Sequence, residues 1–230
     1  MSDLRSTLAA AAALLPEEFR AAHGRLFRGE LLDRLADRLL GFWREGVPAA
    51  PPPPRFAAER TPPLADVFAP FRPALALWHP DPGPTAPEVV AALADALLAA
   101  GCPGLLLLLG QRLTPASVTD ARAIPPERGR LLDAAGRPGR QGLTVAARAL
   151  SKHAPRSAES FWGAVTGPAA FKNAAARAAV ERILGAATWW NVFGHPAHGL
   201  VYEARVPTGH GARWRHPGDE FIGFLEPFET

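Results

Sequence analysis

The sequence predicts an α+β protein: a C-terminal α-α-ββββ antiparallel-sheet domain, preceded by a helical segment and a small β-α-β unit. Three observations lead there. Apolar residues recur at spacings of three and four along residues 27–40, the period of an amphipathic helix. Beyond Gly185 the period changes to two. The period-two segments are joined by Pro/Gly turns and not by helical stretches, which favours antiparallel neighbours.

The elements follow in order. Residues 4–45 read as mostly helix, with Phe27, Leu31, Leu32, Leu35, Leu39 and Leu40 forming one stripe and Gly46 and Pro48 ending it. The stretch Leu8–Leu15 follows Arg5, but Asp3 precedes it and Pro16-Glu17-Glu18 follows, so it reads as the first turns of a helix, with a secretory signal as the alternative. Residues 47–56 form a Pro-rich linker, read as a stiff polyproline spacer with a Pro-rich recognition ligand as the sharper alternative. Within a small α/β unit of unknown role at 57–135, Pro73–Trp78 reads as a strand. Val89–Ala100 reads as a helix, with Thr85 a candidate cap and Gly101 its stop, and Gly104–Leu109 as a buried strand. In the last unit Thr144 caps a helix over Val145–His153, Pro155 stops it, and Pro168 and Gly185 bracket a second helix. Four strands follow at Thr188–Phe193, Leu200–Val206, Ala212–His216 and Phe221–Leu225.

Composition sets limits on function. The 230 residues are 48% hydrophobic and 20% charged, which excludes a disordered tail. A single cysteine, Cys102, excludes a disulfide framework and a cysteine-based zinc finger within one chain. No apolar run approaches the ~20 residues that span a bilayer, so no membrane span is expected. The formal charge of +3 is a mild indication of an anionic partner, and every one of the 25 basic residues except Lys152 and Lys172 is arginine.

The residues with chemical potential lie in the last 90 or so. Arg148, Lys152 and Arg156 follow i, i+4 spacing around the end of the first helix of that unit, where the helix dipole favours cations. His153 sits at the edge of the buried face and is either a satisfied core histidine or an acid–base group. Lys172 falls in the first turn of the second helix, to snorkel to solvent or to hold a phosphate. The hairpin carries Thr208, Gly209, His210, Gly211, Arg213, Trp214 and Arg215. Arginines beside a tryptophan suit a phosphodiester and a stacked base, or a solvated face opposite a buried Trp214. A two-residue loop would set Ala204 opposite Arg213; a one-residue offset would set Glu203 there. His195, His198, His210 and His216 lie in a Pro/Gly-rich stretch without metal-ligand spacing, so no metal and no other cofactor is expected.

Taken together, GLTVAARALSKHAPR (142–156), FKNAAARAAVERIL (171–184) and GHGARWRHPGDEFIGFLEP (209–227) resemble the C-terminal toxin domains of bacterial polymorphic and contact-dependent inhibition systems. The resemblance covers residues 141–227 and departs from the group at His210 and at Pro217-Gly218-Asp219. It implies a barnase/EndoU/colicin/RelE-like ribonuclease fold over 141–230 and metal-independent endoribonuclease activity on RNA, with tRNA as the candidate. It also implies an immunity protein as partner and action in the cytoplasm of a target cell, reached without a cleavable signal peptide. In that chemistry His153, with His210 or Glu203, moves protons. Lys152, Arg156 and Arg213 steady the phosphate, and Lys172, Thr208, Trp214 and Arg215 bind substrate. The alternative is a non-catalytic RNA-binding, protein-interaction or adaptor protein on the same scaffold.

Overall fold

The computed structural model describes residues 3–78, 86–153, 160–163 and 165–228. The chain divides into two compact units: Met1–Pro51, Thr61–Gln111 and Thr119–Ile124 form one, and Pro52–Arg60, Arg112–Val118 and Pro125–Thr230 form the other.

The first unit is helical throughout its described elements: α1 (Leu4–Ala13), α2 (Glu17–His23), α3 (Gly29–Glu45), α4 (Leu64–Phe68), α5 (Arg72–Leu77) and α6 (Pro87–Leu108). Asp3 caps α1 by accepting the Ser6 N–H at 2.7 Å. Leu35, Leu39, Phe68, Phe71, Leu93, Leu97 and Leu105 are fully buried and form its core. The expected β-α-β unit is absent here, and both of its strands are corrected to helix. Pro73–Trp78 alternates alanine with leucine, which imitates a strand, yet both are strong helix formers and Pro73 sits in the first turn of α5. Residues 104–108 continue α6 beyond a break at Gly101 (φ 58°), because Pro103 opens a second helical run and the leucines are buried in it. A short apolar run without flanking β-branched residues fits either state by periodicity alone.

The segments around Gly101 therefore join into a helix of 22 residues, long and apolar enough to be a candidate span by length and composition. In this unit α1, α3, α4 and α5 pack on it, and Arg38 Nε donates to the Leu108 carbonyl at its end, 3.0 Å away. Cys102 is buried, and burial, with Asp120 adding to it, pushes its thiol up to about 11. It is an inert thiol at neutral pH. Thr85 lies outside the described residues.

The second unit has the expected α+β build. Helices α7 (Arg128–Gly136), α8 (Val145–His153) and α9 (Ala169–Ala186) precede β1 (Trp189–His195), β2 (Gly199–Arg205), β3 (Gly211–Arg215) and β4 (Glu220–Leu225). The strands form one antiparallel sheet in sequence order. Thr144 Oγ1 accepts the Ala147 N–H at 3.1 Å, the expected cap of α8. Asn173 ties α9 to that cap: its Oδ1 accepts the Thr144 N–H and its Nδ2 donates to the Gly142 carbonyl, both at 2.9 Å. Trp190, Val192, Tyr202, Ala204, Ala212 and Trp214 are buried. Trp214 is fully buried, its ring beside Tyr202 and Phe221, and its indole N–H donates to the Leu131 carbonyl of α7 at 3.0 Å.

The β2–β3 register sets Glu203 opposite Arg213 and Ala204 opposite Ala212, so the one-residue offset is the one adopted. The connection is longer than two residues. Val206 N–H bonds the His210 carbonyl at 2.9 Å, and Gly209 takes φ +90° with its Cα against Pro227, where a Cβ would lie 3.0 Å from that residue. From Pro52 onward the Pro-rich stretch is tied into this unit. Arg112 donates to the carbonyls of Pro52 at 2.8 Å and Pro54 at 3.0 Å and pairs with Glu59. Residues 112–118 flank the outer edge of β1, through Arg112 N–H to Trp190 O and Val118 N–H to Val192 O, both at 2.9 Å.

Trp214 is one of the two largest fully buried side chains, and its truncation should give a graded loss. Trp214→Phe removes the indole's bond to Leu131, costing about 0.5–1.5 kcal/mol. Trp214→Ala opens a cavity and costs about 3–5 kcal/mol. Urea denaturation of the two variants checks the order; equal midpoints would show that the indole is not buried as described.

Candidate functional site

The C-terminal half of α8 and the strand β4 enclose an open cleft of about 370 Å³. Arg148, Lys152 and His153 line it from α8, and Ile222, Gly223 and Phe224 from β4. The helix period explains the cationic wall. Ala146, Ala147 and Leu150 face the core, which turns Arg148 and Lys152 outward on the same side one turn apart. Both are exposed, and His153 is half-buried at the helix end.

Behind His153 lies a group that sequence reasoning missed. Glu226, just past β4, places Oε1 2.7 Å from His153 Nε2 and Oε2 3.4 Å from His210 Nε2. The indole N–H of Trp162 also donates to Glu226 Oε1, at 3.0 Å. Trp162 stands edge-on to both imidazoles, with ring centres 5.1 Å from His153 and 5.4 Å from His210. The turn at Ser160–Trp162 is held by α9, where Arg182 donates to the Phe161 carbonyl at 2.8 Å and lies over its ring. The available signal for Glu226 was its place in the closing Phe-Leu-Glu-Pro of the resemblance, which assigned it no role.

The other expected site residues fall into distinct places. His210 is 1% exposed, stacked on Phe161 with centres 4.0 Å apart, and its Nδ1 lies 2.9 Å from the exposed Thr208 hydroxyl. His210 and Thr208 thus join the Glu226 cluster from behind and do not line the cleft. Trp214 is corrected from a base-stacking residue to a core residue, because its ring is fully buried. Lys172 is half-buried in the first turn of α9 and is not among the residues lining the cleft. Arg215 is exposed and pairs with Glu220 at 2.8 Å. Arg156 lies outside the described residues.

Glu203 and Arg213 do come together, in the sheet. Arg205 Nε donates to Glu203 Oε1 at 2.5 Å, and Arg213 Nε and Nη2 donate to Oε2 at 2.8 and 2.6 Å. Both carboxylate oxygens are therefore committed to guanidinium groups, and the Glu203 side chain is 2% exposed. Proton transfer by Glu203 would first have to open these pairs. Burial pushes the Arg205 guanidinium below its ordinary value, and the Glu203 charge counteracts that. Arg205 Nη1 holds the carbonyls of Gly209 at 2.6 Å and Glu226 at 2.7 Å, so this cluster fixes the backbone that carries Glu226. His195 and His198 stack at 4.7 Å in the β1–β2 turn; burial first, then the Arg213 and His198 charges, pull the His195 imidazole down. Among the described residues, no three His, Cys, Asp or Glu side chains form a metal-ligand group.

Residues 132–226 match the family model of the CdiA C-terminal tRNase toxin domain. That span includes His153, Trp162, His210 and Glu226 together with the whole cleft. No curated protein and no solved structure matches the chain.

The Glu203 cluster yields a stability forecast. Glu203→Ala leaves two guanidinium groups partly or wholly buried without their counter-charge, and the expected cost is about 3–5 kcal/mol. Removing the exposed partner in Arg215→Ala should cost no more than about 1 kcal/mol. Denaturant midpoints of the two variants measure the contrast, and equal effects would contradict the burial of the first cluster.

Proposed function

We propose that the second unit is a metal-independent endoribonuclease that cleaves tRNA in the cleft between α8 and β4. The observation that carries this reading is the convergence of Arg148, Lys152 and His153 on one cleft, inside the span that matches the tRNase toxin family. The reaction forms a bond between the 2′-oxygen and phosphorus and breaks the bond from phosphorus to the 5′-oxygen. The products are a 2′,3′-cyclic phosphate and a 5′-hydroxyl, and the net proton movement is from the 2′-oxygen to the 5′-oxygen. His153 is the cleft side chain suited to carry that proton near neutral pH. Lys152 and Arg148 stand where cations neutralise the charge that builds on the phosphoryl oxygens. Arg156, just beyond the end of α8 in sequence, extends this cationic run.

By the same family reading, an immunity protein is the natural partner and the cytoplasm of a target cell the place of action. The competing reading is a non-catalytic RNA-binding or adaptor protein on this scaffold. It expects RNA affinity with no product from the native chain.

Incubating the full chain with total tRNA in EDTA decides between them. Cleavage should persist and leave 2′,3′-cyclic ends; a requirement for added Mg²⁺ or Zn²⁺ would overturn the mechanism. His153→Ala should lower the rate by ~10²–10⁴ at an unchanged melting temperature. A destabilised protein of full specific activity would mark His153 as a core residue. Arg148→Ala should weaken RNA binding and lower the magnitude of its salt-dependence slope by about 1. An unchanged slope would remove Arg148 from the phosphate path.

A further inference from the structure

We infer that Glu226 is the positioning carboxylate of this site: it fixes the tautomer and orientation of His153, and His210, Thr208 and Trp162 hold it in place. The inference rests on the reading of His153 as the proton carrier, and adds to it which nitrogen does the work and what keeps that nitrogen ready.

An ionised carboxylate only accepts hydrogen bonds, and a neutral imidazole has one N–H and one bare nitrogen. His153 directs Nε2 at Glu226 Oε1 from 2.7 Å, and that nitrogen is shielded from solvent. A bare nitrogen this close to a carboxylate oxygen would repel it, so the proximity favours the hydrogen on Nε2. In that tautomer the bare nitrogen, the one able to take a proton, is Nδ1. The 2.7 Å approach is close in distance but not aligned as a hydrogen bond, a looseness that acid–base contacts often show away from the transition state. His210 flanks the other oxygen: its Nε2 lies 3.4 Å from Oε2, and its Nδ1 shares a 2.9 Å hydrogen bond with the Thr208 hydroxyl. At 1% exposure, His210 backs the carboxylate and does not meet RNA.

Three further contacts restrain Glu226. Trp162 Nε1 donates to Oε1 at 3.0 Å. Arg205 Nη1 grips its backbone carbonyl at 2.7 Å. Pro227 packs directly on Gly209 of the β2–β3 connection, where no larger residue fits without movement. Arg148 and Lys152 on α8 face the same cleft as His153 but are donors only, so neither can replace Glu226 as the acceptor for Nε2. A base oriented by a third group is a recurring arrangement in nucleophilic and acid–base catalysis.

Nitrogen-15 NMR of histidine-labelled full chain tests this directly, since the two ring nitrogens have distinct shifts when protonated and bare. In the native protein near pH 8, His153 should be a single tautomer with the hydrogen on Nε2; an Nδ1–H form would overturn the inference. Glu226→Ala should convert His153 to a tautomer mixture and lower kcat on the order of 10²-fold with KM for tRNA held. Glu226→Gln keeps an acceptor oxygen and should restore the Nε2–H form and part of the rate. An unchanged His153 spectrum in Glu226→Ala would reduce Glu226 to a structural anchor, whatever happens to activity. Should Glu226→Ala fail to fold, the native spectrum and Glu226→Gln still decide the question. Because the readout is spectroscopic, its failure is separable from failure of the nuclease reading, which shows instead as full activity in His153→Ala.

Discussion

The buried guanidinium of Arg205 is the interaction on which the site depends. One side chain, 4% exposed, meets the carboxylate of Glu203, the carbonyl of Gly209 and the carbonyl of Glu226. It thereby joins β2, the β2–β3 connection and the segment after β4. Taking a guanidinium out of water is costly and is offset only when its donors and its counter-charge are all supplied. Here Glu203 supplies the counter-charge, Nε and Nη1 have their acceptors, and the Phe228 ring lies 3.7 Å from the guanidinium carbon as a further favourable contact. The consequence is positional. Glu226 leaves the sheet at a fixed point, and its carboxylate reaches two histidines that come from a helix end and from a hairpin.

This arrangement divides labour between the two faces of the problem. Under the proposed reading, Arg148 and Lys152 stand exposed on α8, free to adapt to RNA. His153 lines the cleft half-buried beside them, backed by Trp162 and His210, which pack among Phe161 and Phe224. Rigid aromatic packing holds an imidazole more strictly than solvent-exposed hydrogen bonds do, and acid–base chemistry requires such placement. Glu203 and Arg213, which the resemblance implied as part of the chemistry, are tied together with Arg205 within the sheet. The two guanidinium groups consume the lone pairs that a catalytic carboxylate would need.

Much of the second unit was legible in the sequence because its signals are local. Thr144 as cap, Pro168 before a helix and four period-two runs with Pro/Gly turns each act within a few residues, and the structure places helices and strands accordingly. The first unit misled for a physical reason. Alternating alanine and leucine at 73–78 imitates a strand, and at 105–109 burial of five consecutive leucines erases the helical period. His153 and Lys152 were legible as a pair at a helix end. Glu226 was not, because its significance arises from Trp162, His153 and His210, which are distant in the chain and meet only when α8, the turn after it, the hairpin and β4 close on one another. Trp214 was ambiguous by alternation alone, and only the adopted register, with its indole under α7, settles it as core.

The most direct test of the central claim, that RNA is cleaved in the α8–β4 cleft at His153, is to bind an RNA that cannot react. A tRNA fragment with 2′-deoxy sugars lacks the attacking hydroxyl and should bind without turnover. Titrated into labelled full chain, it should shift the resonances of His153 Nδ1, Lys152, Arg148 and the amides of residues 222–224. Those of His210 and of the Glu203–Arg213 pair should move far less. Perturbation centred on the Glu203–Arg213 pair, with His153 unmoved at saturation, would contradict the account and relocate the site.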